Sequence, residues 1–132
     1  MATEDTSITD YDRSQSETRR LRTNLPTAAA ASGAGTSPPA PVVASTNYDS
    51  KGRITWGTGT STAAGNQVTV TFSRAYAKAP VVMLTPSNTA TAQLNPCVLS
   101  VGVSSFIIGL GAAPAASQAN TVYSVDYLVV PV

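Results

Sequence analysis

Residues Gln67–Asn88 read QVTVTFSRAYAKAPVVMLTPSN. Val68, Val70 and Phe72 alternate with Thr69 and Thr71, the period of two expected of a half-buried strand. A short turn carrying Arg74, Tyr76 and Lys78 follows. Pro80 then leads into Val81–Thr85, and Pro86 closes that run. Proline is tolerated at strand ends, where a missing ladder donor costs little. Val81–Thr85 is apolar on both faces, which predicts a central strand.

The same grammar extends in both directions. Arg53–Trp56 is a candidate strand after Lys51-Gly52, and residues 58–67 form a Gly/Ser/Thr/Ala/Asn loop. Downstream, Cys97–Val103 alternates, with Cys97, Leu99, Val101 and Val103 on one side. In Ser104–Leu110, Phe106, Ile108 and Leu110 share a face. In Val122–Val130, Tyr123, Val125, Tyr127 and Val129 share a face and Asp126 lies on the other. No sustained helical periodicity follows residue 50. Short strands separated by Gly, Pro and Asn predict an all-β fold, a small antiparallel β-sandwich over residues 50–132.

The first fifty residues are a different material. They hold six acids and four bases, against one acid and four bases in residues 51–132. Residues 1–25 form a candidate N-terminal arm, either partly helical or extended. Asp10 or Asp12 can cap a helix, Ser14 with Glu17 has capping-box spacing, and Pro26 would stop it. Arg19, Arg20 and Arg22 fall where a helix dipole favours positive charge. The apolar stripe is narrow (Ile8, Tyr11, Leu21, Leu25), so such a helix is marginal unless it docks on a partner. Tyr11, Arg19, Arg20, Leu21, Arg22 and Leu25 are therefore the candidate anchoring residues. Residues 26–49 are rich in Ala, Gly, Ser and Pro and lack the large side chains that offset folding entropy, so they read as a linker.

Composition excludes several functions. The 132 residues are 42% hydrophobic and only 11% charged, with net charge +1. Bulk charge thus supplies no attraction to nucleic acid or to an acidic membrane surface. There is no apolar run of membrane-spanning length, and the polar start MATEDTSITD is no signal peptide. The single cysteine, Cys97, excludes an intrachain disulfide, and its apolar setting predicts a buried, inert thiol. Histidine is absent, which removes Ser-His-Asp and Cys-His machinery and the usual zinc sites. The β-domain holds one carboxylate, Asp126, whereas glycoside hydrolysis needs two. The chain therefore reads as non-catalytic, with no cofactor and no metal. Asp126 is expected to pair with a base or to face solvent.

Two aromatic residues are candidate carbohydrate contacts, Trp56 and Tyr76, since an aromatic face with a polar rim suits a sugar. Core packing of Trp56 is the competing reading. Tyr48 is expected to be an exposed linker residue. A domain of about 80 residues buries only some 60–65% of its unfolded surface. Without disulfide or metal, oligomerisation is the remaining common source of stability.

VTVTFSRAYAKAPVVMLTPSN, followed by SSFIIGL and a closing VDYLVV, resembles the small C-terminal β-sandwich of bacteriophage tail-fibre and other virion proteins. It is similar in pattern to the H-type lectin domain, with Phe72, Tyr76, Pro80, Phe106 and Tyr127 at the places that carry the likeness. The lectins often have Trp in the final strand, where this chain has Tyr127. The resemblance covers roughly residues 52–132 and implies a homotrimer. With so short an arm and linker, it suggests a capsid decoration protein or short head fibre, made in the host cytoplasm and located in the virion. The arm would bind the major capsid protein or another virion protein. The alternative implied is a tail-fibre-like, receptor-binding module with lectin-like affinity for a cell-surface glycan.

Overall fold

The computed structural model describes residues 25–114 and 121–132. Within them lie two four-stranded antiparallel sheets packed face to face. The strands are β1 (Thr27–Ala30), β2 (Val42–Val43), β3 (Lys51–Trp56), β4 (Gly65–Thr71), β5 (Val81–Pro86), β6 (Pro96–Val101), β7 (Ser105–Leu110) and β8 (Tyr123–Val130). One sheet has the order β1-β4-β7-β6 and the other β2-β3-β8-β5. A one-turn helix, α1 (Thr89–Ala92), links β5 to β6.

The core is the meeting of the two inner faces. Val68, Val70 and Phe72 from β4 and its end join Phe106, Ile108 and Leu110 from β7. They face Ile54 and Trp56 of β3 and Tyr123, Val125, Tyr127 and Val129 of β8. All of these are buried, and full burial of each such side chain contributes roughly 1.5–3 kcal/mol. Aromatic contacts run from one sheet into the other: Tyr76 on Phe72, Phe72 on Phe106 and Phe106 on Tyr127, with centroids 4.9, 5.6 and 5.6 Å apart. The alternation in Val68–Phe72 and in Val125–Val130 is the alternation of burial; Gln67, beside a register shift, and Ser124 are buried as well.

The segment expected to be a linker is part of the sandwich, which moves the domain boundary from residue 50 back to about residue 26. Thr27–Ala30 pairs antiparallel with Val68–Thr71 at the edge of its sheet. A 3-10 turn, Ser32–Ala34, follows, with Gly33 and Ala34 buried. Any side chain at Gly33 would collide with the Asn66 carbonyl and the Gln67 amide. Thr36 then bridges to Thr60, and Val42–Val43 pairs with β3. An edge strand draws its stability from ladder hydrogen bonds and needs few large side chains, so an Ala-rich segment is sufficient.

Four further expectations change. Val81–Thr85 lies in an edge strand, not a central one: β5 has only β8 as a neighbour. Its two apolar faces arise because Val82 and Leu84 pack on the core while Val81 and Met83 face outward. The alternation of Cys97–Val103 is broken by a register shift between Val98 and Ser100. Val98 and Val101 consequently pack inward, and Cys97 is exposed. Helix α1, too short for a periodic signal, is nucleated by Asn88, whose Oδ1 accepts from the Thr91 amide (2.9 Å) and hydroxyl (2.7 Å). Strand β3 starts at Lys51, two residues earlier than read.

Candidate functional site

The outer face of the β2-β3-β8-β5 sheet is built in cross-strand rows. Val81 of β5 lies opposite Val130 of β8, and Met83 lies opposite Leu128, which in turn faces Lys51 of β3. The next row is Thr85, Asp126 and Arg53. Alternation along each strand sends these residues outward while Val82, Leu84, Val125, Tyr127 and Val129 go inward. The first two rows leave four large apolar side chains about half exposed: Val81 50%, Met83 51%, Leu128 43% and Val130 40%.

The third row carries the ion pair. Arg53 Nε donates to Asp126 Oδ1 at 2.7 Å and its Nη2 to Oδ2 at 3.1 Å. The hydrogen bonds and charge of Arg53 hold the Asp126 carboxyl below the usual carboxylate range, and Asp126 raises the guanidinium in turn. Both side chains are open to solvent, so the pair is salt-screened and orders the face more than it stabilises the fold.

Beside this row the chain turns sharply into β3. Asn47 is buried and acts as a surrogate peptide: Nδ2 donates to the Arg53 carbonyl at 2.7 Å and Oδ1 accepts from the Arg53 amide at 2.9 Å. Gly52 makes this possible, because a Cβ there would occupy the place of the Asn47 side chain. Asp49, also buried, accepts from the Ser73 amide (2.9 Å) and hydroxyl (2.5 Å), joining the turn to the end of β4. The Tyr127 hydroxyl donates to the Tyr48 carbonyl at 2.5 Å. Burial, followed by the charge of Asp49 and the proximity of Tyr76, pushes the Tyr127 phenol well above the ordinary tyrosine value. Lys51 Nζ sits 5.7 Å from the Tyr48 ring centroid. Between this turn and the ion pair is a shallow pocket of about 460 Å³, lined by Thr46, Asn47, Lys51, Arg53, Asp126 and Tyr127 among others.

Of the two described acidic side chains, Asp49 is buried on Ser73 and holds the fold, while Asp126 is paired with Arg53 at the open surface. Among the described residues no three acids or cysteines are grouped to hold a metal ion, and no helix is long and apolar enough to cross a membrane.

Of the two candidate carbohydrate contacts, Trp56 takes the core position that was its competing reading, and Tyr76 is half-buried. Trp56 is 2% exposed and packs on Tyr123 with centroids 5.9 Å apart; its Nε1 is enclosed, so it presents no face to a sugar. Tyr76 is half-buried against Phe72, with its hydroxyl enclosed and its phenol raised, first by burial and then by Asp49. Tyr48 belongs to the structured turn rather than to a linker. Of the candidate anchoring residues, Tyr11, Arg19, Arg20, Leu21 and Arg22 lie outside the described residues; Leu25 is the first described and is exposed. A strand apolar on both faces reads as a sheet-centre strand, which hides the outward apolar rows of β5 and β8. Asn47 and Asp49 were missed because a Pro/Ala/Ser-rich segment gives no signal for buried polar anchors.

No protein-family model, curated protein or solved structure matches the chain.

Proposed function

We propose that this chain is a structural protein of a bacteriophage virion, a homotrimeric capsid decoration protein or short head fibre tethered by its N-terminal arm. The observation that carries the reading is the use made of its few chemical groups. Asp49 is buried on Ser73, Asp126 is neutralised by Arg53 on the surface, and histidine is absent from the chain. What the sandwich offers its surroundings is surface: an apolar outer face on one sheet and Ser/Thr-rich strands elsewhere. The arm, with Tyr11, Leu21 and Leu25 beside Arg19, Arg20 and Arg22, has the composition of a segment that orders on a partner.

Deletion of residues 1–25 tests the tether. The truncated chain retains every described strand, since β1 starts at Thr27. It should fold and fail to join the particle, while the full chain joins. Normal incorporation of the truncated chain rules the tether out.

One observation favours a second reading, the glycan-binding module. The pocket between Asn47 and the Arg53–Asp126 pair is lined by Thr46, Lys51, Arg53 and Asp126, polar groups suited to a polyol. A glycan array on the full chain, repeated with Lys51→Ala, distinguishes them: saturable binding lost in the variant supports the module, and no binding removes it.

A further inference from the structure

We infer that the pocket between the Asn47 turn and the Arg53–Asp126 pair takes a saccharide that bears a carboxylate, a sugar of the hexuronic acid type, in preference to its neutral counterpart. The inference rests on the glycan-binding reading above and names the class of glycan. The pocket measures about 460 Å³, within the roughly 300–1,000 Å³ of small-ligand clefts.

Most of the lining is already committed to fixed partners. Asn47 bonds both sides of the Arg53 backbone, at 2.7 and 2.9 Å. The Tyr127 hydroxyl is turned to the Tyr48 carbonyl. Arg53 and Asp126 hold each other through two contacts, at 2.7 and 3.1 Å. Groups held in this way lose little freedom when a ligand arrives.

The charge count then selects the ligand. Two bases and one acid line the pocket. Arg53 and Asp126 neutralise each other, which leaves Lys51 as the lining charge with no ion pair among the described residues. Its ammonium lies 5.7 Å from the Tyr48 ring centroid, a contact that favours its staying by the turn. A neutral sugar in the pocket would displace water from the ammonium and return no charge. A carboxylate returns a charge-assisted hydrogen bond, and the Thr46 hydroxyl is at hand for the ring hydroxyls. One ammonium matches one negative charge. A sugar phosphate carries nearly two at neutral pH, and the second would stand against Asp126. A cationic amino sugar would meet Lys51 as a like charge. Because Lys51 is exposed, the gain is modest, about three- to fivefold in affinity.

Amide chemical-shift titrations of the full chain test this. The probes are methyl glucuronide and methyl galacturonide, set against methyl glucoside and methyl galactoside, with a hexose phosphate as a further arm. The variants are K51Q, which removes the charge of an exposed residue and keeps its reach, and a control, K78Q, in the turn after β4. The uronides should shift the Thr46, Lys51 and Arg53 amides at millimolar concentration, about three- to fivefold more tightly than the neutral sugars or the phosphate. The preference should weaken with added salt. K51Q should level uronide and neutral sugar, and K78Q should keep the difference. Equal affinity for acidic and neutral sugars, tighter binding of the phosphate, or a preference that survives K51Q overturns the inference and leaves the glycan-binding reading standing. No shift at these amides with any sugar overturns both, while the tether is decided separately by the arm deletion.

Discussion

The Tyr127 phenol, on the closing strand, donates a 2.5 Å hydrogen bond to the carbonyl of Tyr48, seventy-nine residues earlier in the chain. This bond secures the turn that launches β3, and with it the row where Arg53 meets Asp126. Tyr127→Phe leaves the buried ring contacts and leaves the Tyr48 carbonyl with only the longer, 3.3 Å bond from the Lys51 amide. The expected loss is about 1–2 kcal/mol of unfolding free energy, read as a lower urea midpoint with an unchanged slope.

The same phenol gives the molecule an alkaline limit. Tyr127, Tyr76 and Tyr123 all have ionisation raised by burial, so the folded state resists losing these protons. In the unfolded chain tyrosine ionises near pH 10. Stability is therefore complete below about pH 10 and falls as pH climbs further, because there the unfolded state sheds protons that the folded state keeps. Urea midpoints measured from pH 8 to 12 should be flat and then decline, and the decline should be shallower in Tyr127→Phe.

Asn47 and Gly52 form a coupled pair, the one filling the space where the other would carry a Cβ. Asn47→Ala removes two hydrogen bonds to the Arg53 backbone, one on each side of the residue, and should cost about 2 kcal/mol. Gly52→Ala in the wild-type chain forces the Asn47 side chain out and should cost at least as much. In the double variant the two closest obstructing atoms are gone and only the residue 47 Cβ, 2.7 Å from the new Cβ, still has to shift, so the combined loss should fall short of the sum by about 1 kcal/mol in a double-mutant cycle.

Much of the fold was legible where burial follows a strict period. Val68, Val70 and Phe72, and Tyr123 to Val129, show alternation that the core reproduces residue by residue. The sequence was opaque where backbone geometry intervenes. A one-residue shift between Val98 and Ser100 reverses the face of Cys97, and alternation alone carries no mark of such a bulge. Ala28 and Ala29 look like linker because an edge strand asks little of its side chains. Val81 and Met83 suggested a buried strand because an apolar residue on an outer face has the same composition as one inside. The sequence leaves Asp126 either paired with a base or facing solvent; its pairing with Arg53 follows only from the β3–β8 register.

Cys97 provides a direct check on the bulge. It lies exposed on β6, so the full chain should react with a thiol reagent such as a dithiobis-nitrobenzoate without denaturant, to one equivalent. Labelling only after addition of urea would mean that β6 follows the unbroken alternation, with Cys97 facing the core.

The proposed place of the chain in the virion is decided by its copy number in purified particles. Quantitative mass spectrometry against the major capsid protein should find hundreds of copies per particle, and none when residues 1–25 are deleted. Purified particles lacking the full chain, or holding only a handful of copies, would contradict the capsid decoration account.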